Sequence, residues 1–222
     1  MMTMTMMTMT VPGPLRSHLA VSRPDRRPSS TAPTASCWSS GRRWQRPESV
    51  DTAAGPSRDP GSRLTVEAAR EATAADLPAL ATLARMARVD SLPKRGGEVL
   101  DRLDEYRNDL AGRLVEAHED PEMVLAAGTI DAVPVAYAIM RVTCVADGRM
   151  HAVVEELFVE PEARAVGVGE AILAMLISVA VERGAVGIES LALPGDRATK
   201  NFFETQGMVA RGILVHRWLD GR

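Results

Sequence analysis

The stretch from His151 to Gly184 constrains the fold of this chain more than any other. Residues 153–159 (Val-Val-Glu-Glu-Leu-Phe-Val) are rich in β-branched and aromatic side chains and predict a strand, which Pro161 stops. Gly167 and Gly169 then open a segment in which Ile172, Met175, Leu176 and Val179 recur at helical spacing, with Gly184 placed to end the helix. A glycine-bearing turn that runs into a helix start presents several backbone N–H groups at the positive end of the helix dipole. Such a turn suits a phosphate or a pyrophosphate. The plainer alternative is that the glycines only permit a tight turn between strand and helix.

Spacing narrows the choice of anion. No Gly-Lys-Ser/Thr follows the turn, so the P-loop is excluded, and Arg-Ala-Val-Gly-Val-Gly lacks the third glycine of a dinucleotide fingerprint. Arg164-x-x-Gly167-x-Gly169, directly after Glu-Leu-Phe-Val-x-Pro-Glu, resembles the Arg/Gln-x-x-Gly-x-Gly/Ala signature of the GNAT superfamily of acyl-CoA-dependent N-acetyltransferases. The resemblance covers 153–208 in motif and 64–219 in architecture.

Charge divides the chain in two. Residues 1–63 hold nine arginines against four acids, a net +5, while the remaining residues carry 17 basic and 25 acidic side chains, a net −8. The first part opens on a Met/Thr repeat and continues dense in Pro, Ser, Arg, Gly and Thr without apolar periodicity, so it cannot bury enough surface to offset its ordering entropy. Residues 1–63 are therefore expected to be a disordered tail, and 64–222 a single folded domain. The tail is acid-poor and Arg/Ser-rich like a transit peptide, yet it has no clear amphipathic helix, basic n-region or apolar h-region. An over-long gene start is the simpler reading.

The acidic body argues against nucleic acid as a partner, and no run approaches the ~20 apolar residues of a membrane span. Cys37 and Cys144 imply neither a disulfide framework nor a metal motif, the four histidines have no ligand-like spacing, and no metal is expected. A reducing cytoplasm is the expected location.

Taken in order, 64–70 predicts a first strand, and Thr73-x-x-Asp76 a cap before a helix with Leu77, Leu80, Ala81 and Ala84 on one face. After a loop at 90–97, Leu100, Leu103, Tyr106, Leu110 and Leu114 predict a second amphipathic helix, closed by Glu119-Asp120-Pro121. A β-hairpin is expected over 123–129 and 133–145, turning near Asp131, then the central strand and the long helix. A short strand (186–193), a helix (196–206, ended at Gly207) and a last strand or hairpin (208–219) complete the chain. The order β-α-α-β-β-β-α-β-α-β fits an α/β (α+β) fold with a mixed, mostly antiparallel sheet flanked by helices, as the resemblance implies.

The resemblance also implies a chemistry: transfer of an acetyl group from acetyl-CoA, as cosubstrate, to a primary amine of an unidentified acceptor. The coenzyme's pyrophosphate would sit on Arg164, Ala165, Val166, Gly167, Val168 and Gly169, with Glu170 at the edge. Arg164 would either contact phosphate or brace the turn. The pantetheine arm would run beside Leu157, Phe158 and Val159, where a backbone N–H would polarise the acetyl carbonyl.

An ammonium group must lose a proton before it attacks, and Glu155 and Glu156 are out of pattern in an apolar strand. Adjacent residues in a regular strand face opposite sides, so one of the two is expected to line the acceptor pocket; the family pattern favours Glu155. The alternative is a pair of acids at a half-solvated strand end. In the family a tyrosine on the following helix protonates the departing thiolate, but Phe203 stands at that place here, with Asp196 for asparagine and Thr199 for alanine. That departure keeps open a second reading, a catalytically silent acyl-CoA-binding module or regulatory subunit. Lys94 and Arg95 hint at an acidic acceptor, against the plainer reading of a solvated loop. A monomer and a homodimer both fit.

Overall fold

The structure, a computed structural model, describes residues 67–219. The N-terminal segment 1–63, with Cys37 and the expectations attached to it, lies outside the described residues.

Five strands form one sheet in the order in which they occur along the chain: β1 (Glu67–Glu71), β2 (Met123–Ile130), β3 (Val133–Cys144), β4 (Met150–Val159) and β5 (Ala185–Ser190). β1 to β4 pair antiparallel, and β4 pairs parallel with β5. The parallel pair needs a crossover, which α4 (Val168–Glu182) supplies after a short 3₁₀ turn at Pro161–Ala163. Helices α1 (Leu77–Ser91), α2 (Gly97–Leu103) and α3 (Leu110–Glu119) lie between β1 and β2, and α5 (Arg197–Thr205) follows β5.

Each face of the sheet carries its own core. On one, Ile172, Leu173 and Leu176 of α4 pack with Val154, Leu157 and Val159 of β4 and with Phe202 and Phe203 of α5. On the other, Leu80, Leu83 and Ala84 of α1 and Leu114 of α3 pack with Tyr137, Ile139 and Phe158. β2, β3 and β4 are largely buried on both sides, which explains why β4 reads as a nearly continuous apolar run. Gly128 on β2 lets α4 sit close to the sheet: a Cβ there would come within 2.6 Å of Val168 Cγ1 and 2.7 Å of Ile172 Cδ1.

Thr73 and Asp76 join β1 to α1 as the cap pattern predicts. The Thr73 backbone N–H donates to Asp76 Oδ2 (2.7 Å), and Arg70 donates to both oxygens of the same carboxylate (2.7 and 2.8 Å). This bidentate pair holds the Asp76 carboxyl well below its ordinary range.

Two expectations are corrected. The second helix is two helices, α2 and α3, separated by residues 104–109. Asp104 accepts from the Tyr106 N–H and Asp109 from the Gly112 N–H, at 2.9 and 2.8 Å, so both acids serve as caps and interrupt the helical ladder. The last strand does not form. Residues 208–219 are irregular, and Val209, Ile213 and Val215 stand 81%, 89% and 86% exposed. Gly212 weakens strand pairing there, and the segment is held instead by an Arg211–Glu189 ion pair and by Trp218 beneath the Arg102 guanidinium (5.4 Å).

Candidate active site

β4 positions the site because its pairing changes on both edges at the same place. Toward β3 the register shifts between Ile139, opposite Glu156, and Met140, opposite Val154, leaving Glu155 as the extra residue of a β-bulge. Toward β5 the pairing runs from Met150 to Val154 opposite Ser190, where β5 ends. Among the described residues no strand lies beside 155–159 on that edge.

The bulge corrects the expectation that Glu155 and Glu156 face opposite sides. Val154 and Leu157, three apart, both belong to the α4 core, while Phe158 belongs to the α1/α3 core. The extra residue resets the alternation, and both carboxylates turn toward α3. They are 6% and 5% exposed, and sequence reasoning missed their partners.

Arg113 of α3, 2% exposed, forms an ion pair with Glu155, and its Nε lies 3.9 Å from Glu156 Oε1. Arg141 of β3 donates to the other oxygen of Glu155 (3.1 Å) and to Asp120 (3.2 Å). Tyr137 donates its hydroxyl to Glu156 Oε2 (2.7 Å). Burial pushes the Glu156 carboxyl up to about 7; Tyr137 and Arg113 pull against that shift, while Asp104 and Glu155 add to it. A signal for Arg113 was present in the sequence, since Leu110, Arg113, Leu114 and Ala117 share the core-facing stripe of one helix and the arginine breaks its apolar pattern.

The turn after β4 brings the glycine motif together as the sequence predicts. Ala165 (φ 67°) and Gly167 (φ 98°) take left-handed backbone, and no side chain caps the N-terminus of α4. A Cβ at Gly167 would meet nothing within 4 Å among the described residues, which leave the space before the helix open. Val166 is 43% exposed at the rim, Glu170 is exposed, and Val168 and Gly169 are buried beneath the turn. The first N–H groups of α4 have no partner within the helix. Leu157, Phe158 and Val159 are buried core residues whose backbone leads straight into this turn.

Arg164 lies under the turn. Its side chain is 5% exposed, its Nε donates to the Val159 carbonyl (3.0 Å), and its guanidinium pairs with Asp90 (3.4 Å) and lies over the Phe158 ring. Of its two expected roles, bracing is the one this geometry suits. Asp90 also pairs with Lys94 (3.0 Å), and Lys94 with Asp196, the N-cap of α5 (3.1 Å). Lys94 is thus engaged within the chain. Phe203 sits in the α4 core, edge-on to Phe202 at 5.3 Å.

Comparison with known proteins decides the family. The model of the acetyltransferase (GNAT) family matches residues 83–208, more than half of the chain and all of the site just described. The chain belongs to the GNAT acetyltransferase family. No curated protein matches it. Solved structures share the fold of this GNAT domain at low identity. A fourfold mutant of a Bacillus halodurans protein is 18% identical with a TM-score of 0.59, covering 68% of this chain and 99% of its own. An aminoglycoside N-acetyltransferase in complex with CoA is 15% identical with a TM-score of 0.53, covering 71% and 97%. A ribosomal-protein-alanine N-acetyltransferase from Brucella melitensis biovar Abortus 2308 is 17% identical with a TM-score of 0.53, covering 69% and 99%.

The GNAT domain is an acetyltransferase, and acetyl-CoA is the donor its family uses. Among the described residues no group of three or more His, Cys, Asp or Glu could hold a metal ion, and no helix is long and apolar enough to cross a membrane.

Proposed function

We propose that this acetyltransferase moves the acetyl group of acetyl-CoA to a primary amine. The observation that carries the reading is the β4 edge left open beyond Val154, continuous with the uncapped start of α4. That surface fits the donor along its length. The diphosphate takes the amides of 165–169, where charge-assisted N–H contacts are worth about 1.5–3 kcal/mol each before desolvation. Glu170 stands beside it on the exposed side of the helix start. The pantetheine amides pair with the backbone of Leu157 and Val159 as a further strand would, and Phe158 backs the arm with its ring turned into the α1/α3 core. Arg164 braces the turn from below.

The chemistry balances as follows. The acceptor ammonium gives one proton to a carboxylate of the Glu155/Glu156 pair, and its nitrogen attacks the thioester carbon. A backbone N–H at the bulge stabilises the oxyanion, the C–S bond breaks, and the thiolate leaves with the bonding electrons. A second proton leaves the nitrogen as the amide forms; one of the two ends on CoA and the other in solvent. A thiol of pKa ~8.5 is already a fair leaving group, so Phe203 in place of a tyrosine does not forbid the reaction.

The named neighbours acylate amines as different as an aminoglycoside and a ribosomal-protein alanine, which supports an amine as acceptor without selecting one. Phe203 gives specific support to a second reading, a silent acyl-CoA-binding module. Release of free CoA thiol across a panel of small amines and peptides separates the two. Amine-dependent release is expected. Binding of acetyl-CoA without release under any amine would favour the silent module.

A further inference from the structure

We infer that Lys94 is a positioning residue: with Asp90 and Asp196 it latches together the two sides of the gap that opens where β4 and β5 part, and so sets the width of the slot offered to the donor's pantetheine arm. The use of the latch rests on the acetyl-transfer reading; its existence stands on geometry. Three observations carry it.

The first is topological. β4 and β5 run parallel and stay paired as far as Val154 and Ser190. Beyond that pair β4 continues to Val159 and into the glycine turn, while β5 ends and the chain runs on to the N-cap of α5 at Asp196. Arg164 and Asp196 therefore follow the ends of the two strands, one on each side of the gap.

The second is a line of four alternating charges between those points. Arg164 is fastened to the end of β4 through the Val159 carbonyl (3.0 Å) and pairs with Asp90 (3.4 Å). Asp90 pairs with Lys94 (3.0 Å), and Lys94 with Asp196 (3.1 Å). Lys94 is the link that crosses from the β4 side to α5, and its loop is built to hold it there. The Lys94 N–H donates to the Ser91 carbonyl (3.0 Å) and the Gly97 N–H to the Lys94 carbonyl (2.8 Å), a turn so tight that a Cβ at Gly97 would collide with the Ser91 carbonyl. Gly96, in left-handed backbone (φ 87°), rests against Leu193, which clusters with Leu100 and Leu191 apart from the two main cores.

The third is Asp196 itself, whose side chain is 6% exposed. Oδ1 accepts the Thr199 N–H as the cap (3.0 Å), while Oδ2 makes no hydrogen bond among the described residues and lies in ionic contact with Lys94. Capping alone needs no charge, because asparagine caps a helix as well as aspartate does. A buried carboxylate needs a compensating cation, so the charges at 196 and 94 belong together. Asp196 stands where the family has asparagine, and the pair with Lys94 gives that departure a use.

The test combines amide hydrogen exchange, thermal unfolding and acetyl-CoA calorimetry on the full chain as wild type, Asp196→Asn, Lys94→Met and the double variant. Without ligand, the amides of residues 94 and 97 should exchange faster in all three variants. Lys94→Met strands the buried Asp196 charge and should melt lower; adding Asp196→Asn removes that charge and should recover most of the loss. Affinity for acetyl-CoA should not recover with it. All three variants should bind about fivefold or more weakly than wild type. Loss of a negative charge near an anionic ligand would by itself tighten binding, and the double variant keeps the net charge of wild type, so weaker binding in these two proteins reports the latch.

If Lys94→Met does not fold, Asp196→Asn decides alone. Unchanged or tighter binding in Asp196→Asn, affinity that returns together with stability in the double variant, or exchange at 94 and 97 that ignores the variants would each overturn the inference. No heat with acetyl-CoA in wild type would instead sink the donor reading, and the exchange rates then decide the latch by themselves.

Discussion

At Glu156 a carboxyl accepts a phenol hydrogen bond in a pocket closed to water, and burial outweighs the two groups that favour its charge. Because the folded value is raised, the native state holds a proton there that the unfolded chain has lost. Between the ordinary glutamate range and about 7, this group therefore makes the fold less stable as pH rises. Glu156→Gln, which still accepts from Tyr137, should then be more stable than wild type at pH 8 by about 1–3 kcal/mol and close to it at pH 5. Thermal unfolding at the two pH values checks the sign.

In the proposed reaction a carboxylate of the pair accepts the amine's proton only when ionised, so turnover that relies on Glu156 should fall about tenfold per unit below its midpoint. Phe203→Tyr tests the family's missing hydroxyl. The ring is 8% exposed in an apolar cluster, so the added group should cost about 1–3 kcal/mol in stability without raising turnover.

The glycine turn and α4 were legible because their signals are local: alternating β formers, a proline stop, then helical spacing. The bulge was not, since a register shift depends on what β3 offers opposite, and no periodicity in β4 announces it. It placed Glu155 and Glu156 on one face, where a regular strand would separate them. The break between α2 and α3 was hidden for a related reason. Leu100, Leu103, Tyr106 and Leu110 keep helical spacing while Asp104 and Asp109 spend their side chains on capping.

Strain in the turn is itself testable. Ala165 holds φ at 67°, which costs a non-glycine residue about 1–2 kcal/mol. Ala165→Gly should recover part of that in a denaturant midpoint, with the turn still binding. At the joint between β1 and α1, Asp76→Ala removes a cap and the partner of Arg70, and should cost about 1–2 kcal/mol at neutral pH. The depressed carboxyl contributes above the ordinary aspartate range, and the difference between the two proteins should vanish as acid protonates it.

Across the whole molecule, the sheet and its two cores bring 164–169, the open β4 edge and the carboxylate pair together within residues 67–219. A chain starting at residue 64 should accordingly bind acetyl-CoA as the full chain does, which calorimetry reads directly. The last expected strand failed because sequence pattern reports β propensity and not whether a pairing partner exists; the exposed Ile213 and Val215 are the result.

The central claim is that backbone amides of the turn hold the diphosphate of the donor. Gly169 is too buried for a clean test, but Val166 is 43% exposed at the rim, and a negative charge there opposes the ligand without disturbing the core. Isothermal titration of acetyl-CoA into wild type and Val166→Asp is the direct measurement. The account predicts micromolar binding to wild type, weakened at least about tenfold (~1.4 kcal/mol) in the variant with an unchanged melting temperature. Equal affinity in the two proteins, or no heat in either, would contradict it.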